Sequence, residues 1–288
     1  MPSPPRRRSV VRRRRAAALL VALAVVAVAA LVVWDALRTD QHGTDVEDVT
    51  IASRAVGRDL DTSVVVPAGG SKGRPLLVLL HGRGSDPDEM LSDALFAAVA
   101  AQGKRAPVVA LPTGAESYWH DRRGAAWGRY VLDEVIPAVA RRFHTDPRRV
   151  AIGGVSMGGF GALDLARLHP GRFCAVGAHS PAIWQTGGET AAGAFDDAED
   201  FDRHDLVGVA RDHPAAFAGA PLWLDAGDED PFRGGDRTFV DALRAGGVPV
   251  RAHTWPGRHE GAYWDAHWDD YLRFYARALA RCPTVRAP

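Results

Sequence analysis

The sequence predicts an α/β fold, a mostly parallel central sheet with helices on both faces. Three observations predict it. Short runs that are apolar on both faces, Leu76–Leu80, Pro107–Leu111 and Val150–Val155, recur between longer stretches with apolar residues at helical spacing, as expected of strands covered from both sides. The stretch Val150–Leu168, VAIGGVSMGGFGALDLARL, runs from a β-branched segment through a glycine-rich turn with a serine at its apex. It continues with Phe160, Leu163, Leu165, Ala166 and Leu168 at helical spacing. Finally, 288 residues with 47% hydrophobic content suffice for one large core.

Taken in order, residues 1–15 form a basic tail. Ala16–Trp34 follow with nineteen residues free of charge and proline, long enough to span a bilayer. The arginines before this run predict that end in the cytoplasm and the folded domain outside. Two readings stay open: a single-pass membrane anchor, or a signal removed near Ala27-Val28-Ala29 so that the domain is secreted. Residues 35–47, polar from 39 onward, read as a tether. Residues 48–282 form the folded domain, and 283–288 a tail. The formal net charge is zero, but residues 1–38 hold eight arginines and one aspartate, leaving 27 basic against 34 acidic residues, about −7, in the rest. That balance argues against a nucleic-acid partner. The two cysteines, Cys174 and Cys282, exclude a cysteine-built metal site. They either pair at the lower edge of the sheet or stay as partly buried thiols.

Val49–Val56 and Leu60–Val66 are expected as an antiparallel hairpin around Gly57-Arg58-Asp59. Leu76–Leu80 is a buried strand ending in His81-Gly82-Arg83-Gly84. Asp86 is read as the N-cap of a helix to about Gln102, with Pro87 in its first turn. Strand Pro107–Leu111 follows, then a helix Ala125–Phe143 mildly broken by Pro137, then Val150–Val155. Phe173–His179 and Leu222–Ala226 read as strands, Arg237–Ala245 as a helix, Val248–Trp255 as an edge strand and Ala262–Arg281 as a closing helix. Between residues 180 and 220 the periodicity lapses into an insert rich in Gly, Ala and Asp, expected as a small cap. Its acids Asp196, Asp197, Glu199, Asp200, Asp202 and Asp205 lack a calcium-ligand loop and read as a solvated acidic surface.

Gly154-Val155-Ser156-Met157-Gly158 fits GxSxG, a sharp strand-to-helix turn that presents a serine hydroxyl. A hydroxyl needs a base to take its proton, and the base needs an oriented acid, so the motif predicts an acid and a histidine downstream in that order. Asp230 in Gly227-Asp228-Glu229-Asp230-Pro231 is the expected acid, with Asp228 as competitor and Asp225 as a structural strand end. His259 falls where the next strand gives way to the last helix and is the expected base. His253 and His267 read as packing or surface residues; His120, His179 and His213 precede the acid. The amides of Met157 and Arg83 are the expected oxyanion donors, with His81 a structural neighbour. Tyr118, Trp119 and Trp184 are candidates for the substrate pocket, while Trp264 and Trp268 read as core.

LLHGRG, SYWHD, GVSMGG, GDEDP and PGRHEGAYW, in this order and at these separations, resemble the α/β-hydrolase superfamily. Within it they are similar to the esterase group that includes esterase D, feruloyl esterases and mycolyltransferases. The resemblance covers about Val49 to Arg281. It implies an eight-stranded sheet, a Ser156–His259–Asp230 triad, and acyl chemistry on a small-molecule or glycolipid ester with no cofactor and no metal. Ser117-Tyr118-Trp119 matches the segment beside the acyl site in that group. Arg258 stands where relatives commonly carry glycine and bears on the polarity of the site's mouth. The expected function is an extracytoplasmic serine esterase. Its rivals are an acyltransferase using a sugar or lipid alcohol, and a non-catalytic binding protein, which a missing triad member would mark. Acyl length, alcohol and oligomeric state are not written in the residues.

Overall fold

A computed structural model describes Val26 and residues 39–282 of the chain. The basic tail, the anchor-or-signal run apart from Val26, and residues 283–288 lie outside the described residues. Among the described residues no helix is long and apolar enough to cross a membrane.

Eight strands make the sheet: β1 (Asp45–Ser53), β2 (Arg58–Val66), β3 (Leu76–Leu80), β4 (Val108–Pro112), β5 (Val150–Val155), β6 (Val176–His179), β7 (Leu222–Gly227) and β8 (Val250–Trp255). Their spatial order is β1-β2-β4-β3-β5-β6-β7-β8. β1 and β2 are antiparallel to their neighbours, and every pairing from β4 through to β8 is parallel. Both faces are covered, as the apolar strands require. Leu76, Val78 and Leu80 of β3 enter one core with α2 (Ile136–Phe143), α3 (Met157–Leu168), α5 (Leu206–Asp212) and α6 (Arg233–Ala245). Leu77 and Leu79, turned the other way by the pleat, enter a second core with α1 (Asp93–Ala101) and α7 (Gly261–Arg281).

Several boundaries differ from the sequence reading. α1 starts at Asp93 because Ser92 accepts the Leu95 amide through its side chain. Asp86 instead holds a separate single turn, accepting the amides of Asp88 and Glu89 at 2.9 and 3.2 Å. Ala125-Ala126 does not open a helix; it pairs with Asp121-Arg122 in a two-rung hairpin. Helix begins at Trp127, and residues Tyr130–Val135 wind as a wider π turn before α2, just where Pro137 has no N–H to close the regular ladder. The insert carries α4 (Ala198–Arg203) and α5, and its acids are mostly occupied rather than solvated. Asp197 and Asp205 cap these helices, Asp196 pairs with Arg122, and Asp200 is 1% exposed. Short polar side chains at helix starts and turns satisfy free backbone amides, and these acids do that.

Cys174, just before β6, and Cys282, at the end of α7, form a disulfide with Cα atoms 5.4 Å apart.

Candidate active site

β5 ends, and α3 begins, at Ser156. Its backbone sits at φ 54°, ψ −117°, a conformation that L residues rarely hold. The turn is possible because a Cβ at Gly154 would strike the Leu80 carbonyl and the Gly158 backbone, and one at Gly158 would strike Leu80 as well. Neighbouring strands hold the apex. The Ser156 amide donates to the His179 carbonyl at 2.9 Å, and the Ser156 carbonyl accepts from Phe160 and Ala182, each at 3.0 Å. The serine side chain makes no capping bond to its helix. Its Oγ–H donates instead to His259 Nε2 at 2.8 Å. His259 Nδ1–H in turn donates to Asp230 Oδ2 at 2.8 Å. Ser156, His259 and Asp230 thus form one hydrogen-bonded relay at the C-terminal ends of the parallel strands.

The loop carrying the acid and the loop carrying the histidine are stitched together. Asp230 Oδ1 accepts the Phe232 amide at 2.8 Å, which fixes the carboxylate plane. Asp228 does not reach the imidazole: its Oδ1 accepts the Gly257 amide at 3.0 Å, and its own amide donates to the Trp255 carbonyl. A Cβ at Gly227 would collide with the Gly257 carbonyl, so that glycine permits the two loops to touch. Arg258 turns its guanidinium onto Glu229 at 3.0 Å, and its charge is spent there instead of on the cleft.

Below this pair, Asp225 is fully buried and accepts four hydrogen bonds, from His179 Nδ1, Trp223 Nε1, Tyr263 and Tyr271. The Tyr263 and Tyr271 hydroxyls are on α7, directly after His259, so the network anchors the start of that helix to β6 and β7. Burial, with the Asp225 charge adding to it, holds both phenols well above their ordinary range.

The first amides of α3, Met157, Gly158 and Gly159, precede any intrahelical acceptor and carry the positive end of the helix dipole. Opposite them lies Gly82-Arg83-Gly84, with Gly84 at φ 73°. His81 fixes this loop. Its Nε2 accepts the Gly114 amide at 2.8 Å, so the neutral ring carries its hydrogen on Nδ1 and donates to the Gly82 carbonyl at 2.7 Å. Burial depresses the His81 pKa, which favours that neutral form. The Met157 and Arg83 amides therefore sit on two rigid segments flanking Ser156, while the Arg83 side chain pairs with Glu116.

A cleft of about 330 Å³ opens above Ser156, lined on one side by Gly82, Arg83 and Met90 and on the other by His259, Trp264 and Trp268. Here the structure overturns the pocket assignment of Tyr118, Trp119 and Trp184. Trp119 is fully buried, its indole N–H donating to the His81 carbonyl at 3.2 Å, so it props the Arg83 loop instead of lining a pocket. Tyr118 and Trp184 pack with each other and with Phe160 and Phe195, at 2% and 7% exposure. The cause is local backbone: Tyr118 and Trp119 both have positive φ, 54° and 62°, which turns the rings inward. Gly114 and Gly161 leave room where a Cβ would meet the Trp119 ring. Trp264 and Trp268, in the first half of α7, pack in the second core as the sequence suggests, Trp268 at 3% exposure, and also line the cleft. A signal for their place beside the cleft was present: both lie on the helix that begins two residues after His259. No residue of the 180–220 insert lines the cleft among the described residues; the insert packs beside α3 and α6.

A family model described as "Putative esterase" matches residues 53–275. The chain belongs to this esterase family. Esterase MT1326 of Mycobacterium tuberculosis (strain CDC 1551 / Oshkosh) is 28% identical over 230 residues, 64% of this chain and 48% of that protein. The chain thus spans about half the length of this curated relative. A diacylglycerol acyltransferase/mycolyltransferase Ag85A of Mycobacterium bovis (strain BCG / Pasteur 1173P2) is 28% identical over 286 residues, 84% of this chain and 83% of that one. Among solved structures, a ferulic acid esterase superposes with a TM-score of 0.73 at 23% identity, covering 82% of this chain and 98% of its own. That likeness, like the strand order, places the esterase-family chain in the α/β-hydrolase fold.

Proposed function

We propose that the protein is a serine esterase working outside the cytoplasm through an acyl-enzyme. The observation that carries the reading is the unbroken relay from Asp230 through His259 to Ser156, each link 2.8 Å. Ser156 Oγ bonds to the ester carbonyl carbon as its proton passes to His259 Nε2. The developing oxyanion is met by the Met157 and Arg83 amides, and Asp230 holds the imidazolium in place. Collapse breaks the ester C–O bond, with the Nε2 proton leaving on the alcohol. Water, deprotonated by the same nitrogen, then releases the acid. The His259 side chain is 21% exposed, which supports water access for this second half. Ser156→Ala is expected to lower kcat on short p-nitrophenyl esters by roughly 10⁴-fold or more with the fold unchanged. Wild-type turnover in that variant would overturn the reading.

Acyl transfer to a sugar or lipid alcohol is a second reading, favoured by the similarity to a mycolyltransferase over most of both chains. The triad serves either acceptor. Product analysis with and without an added sugar separates them: a new ester of the sugar supports transfer, and free acid alone supports hydrolysis. The extracytoplasmic placement rests on the basic and apolar leader in the sequence and on the Cys174–Cys282 bond, which persists in oxidising compartments. Fractionation that finds the full chain wholly in the cytoplasm with two titratable thiols would remove it.

A further inference from the structure

Away from the cleft, a second constellation joins the insert to the helix that begins at Ser156. His120, Asp200 and His204 are all buried and each offers one donor atom, these atoms lying within 4.8 Å of one another. Asp200 and His204 are four residues apart at the end of α4, and His120 reaches them from the loop after β4, bringing its Nε2 to 3.2 Å from Asp200 Oδ2. The His204 ring is oriented from behind: its Nδ1–H donates to Asp164 Oδ2 at 2.8 Å, leaving Nε2 as the inward lone pair. That nitrogen faces Asp200 Oδ1 at 3.8 Å, too far for a hydrogen bond. The two imidazoles stand 4.4 Å apart between centroids, and His120 Nδ1 is buried with no hydrogen-bond partner among the described residues.

Two imidazole nitrogens and a carboxylate converging in a buried pocket, one imidazole seated on a carboxylate through its other nitrogen, is the arrangement by which proteins hold a transition metal. We propose that His120, Asp200 and His204 bind one Zn²⁺, with Asp164 holding His204 from outside and a water completing the coordination. Two nitrogens and one carboxylate suit zinc; calcium would ask for six or more oxygens. His120 needs only to move its hydrogen from Nε2 to Nδ1 to become a ligand. Arg203, which contacts Asp200 Oδ1 at 2.9 Å from a half-exposed position, has room to swing into solvent when the cation takes its place. The site's role is structural: it clamps α4 and the loop after β4 onto α3.

The test uses the full chain, stripped with a chelator and titrated first with Co²⁺ and then with Zn²⁺. The expected result is one Co²⁺ per chain with visible absorption of a low-coordinate site, displaced by Zn²⁺. Tm should rise by roughly 5–10 °C at a hundredfold excess over Kd. His120→Gln and His204→Gln are each expected to abolish the Co²⁺ bands, and Asp164→Asn to weaken binding roughly 10- to 100-fold. No visible bands and no Tm shift in the wild-type chain at millimolar metal would overturn the proposal without need of any variant. So would bands that survive unchanged in both histidine variants while these remain folded. The Ser156→Ala chain should bind metal like the wild type, which keeps this test independent of the esterase reading.

Discussion

Asp228 and Asp230 stand two residues apart in one loop, yet only Asp230 touches the imidazole, while Asp228 holds the Gly257 amide. Asp230→Asn would pair the ring with an amide and favour the wrong tautomer, so kcat is expected to fall by about 10⁴-fold. Asp228→Asn keeps an acceptor for Gly257, and its kcat should stay within roughly tenfold of wild type; steady-state kinetics on one ester decides both. The order serine, acid, histidine was legible from the sequence because GxSxG between a strand and a helix marks a hydrolase elbow whose triad partners follow in that order, and the spacing of GxxDP to PGRHE confined the choice to a few residues. Which way an aromatic ring turns was not. Trp119 leaves its expected place in the pocket because side-chain direction follows φ at residues 118 and 119, which no local pattern announces. Asp236 was equally silent. It is 2% exposed with both carboxyl oxygens lacking partners among the described residues, and burial, reinforced by Asp230 and Asp225, raises its pKa well above the ordinary carboxylate range. The folded state therefore keeps a proton that the unfolded chain releases above about pH 4, and stability falls as pH rises, by up to about 1.4 kcal/mol per unit. Asp236→Asn should flatten that slope between about pH 4 and the raised pKa in denaturant melts. An unchanged slope would show that the carboxyl is not the cause.

At the scale of elements, the strand–turn–helix unit of β5 and α3 is the part of the fold most fully written in the sequence, since apolar strand, glycines and helical spacing agree. Its tightness makes it brittle. Gly154→Ala puts a methyl group against the Leu80 carbonyl and is expected to cost about 1–3 kcal/mol in chemical denaturation, along with much of the activity, since the elbow must shift. The start of α1 was misread because Asp86-Pro87 is a good local helix opening that the chain uses for one turn only, before Ser92 supplies a second cap. The insert escaped the sequence reading for a different reason. Its acids look like a solvated surface until the arginines and histidine of His120–Arg123 are seen to lie against them.

Across the whole molecule, alternate residues of β3, β4 and β5 feed two separate cores, so the sheet is stabilised from both faces at once. The disulfide ties the outer helix α7 back to the base of β6 across a sequence separation of 108 residues. Replacing both cysteines by serine is expected to lower unfolding free energy by about 2–5 kcal/mol, read from urea melts.

All five tyrosines of the sequence are buried, and burial raises every one of their phenol pKa values, Tyr118 and Tyr130 to about 12 and Tyr263, Tyr271 and Tyr275 further. The protein thereby carries its own alkaline optical gauge. In a base titration, ultraviolet absorbance from phenolate should stay flat past the usual midpoint near 10, then climb in one sharp step together with loss of circular dichroism, because phenolate gains access to water only when the chain opens.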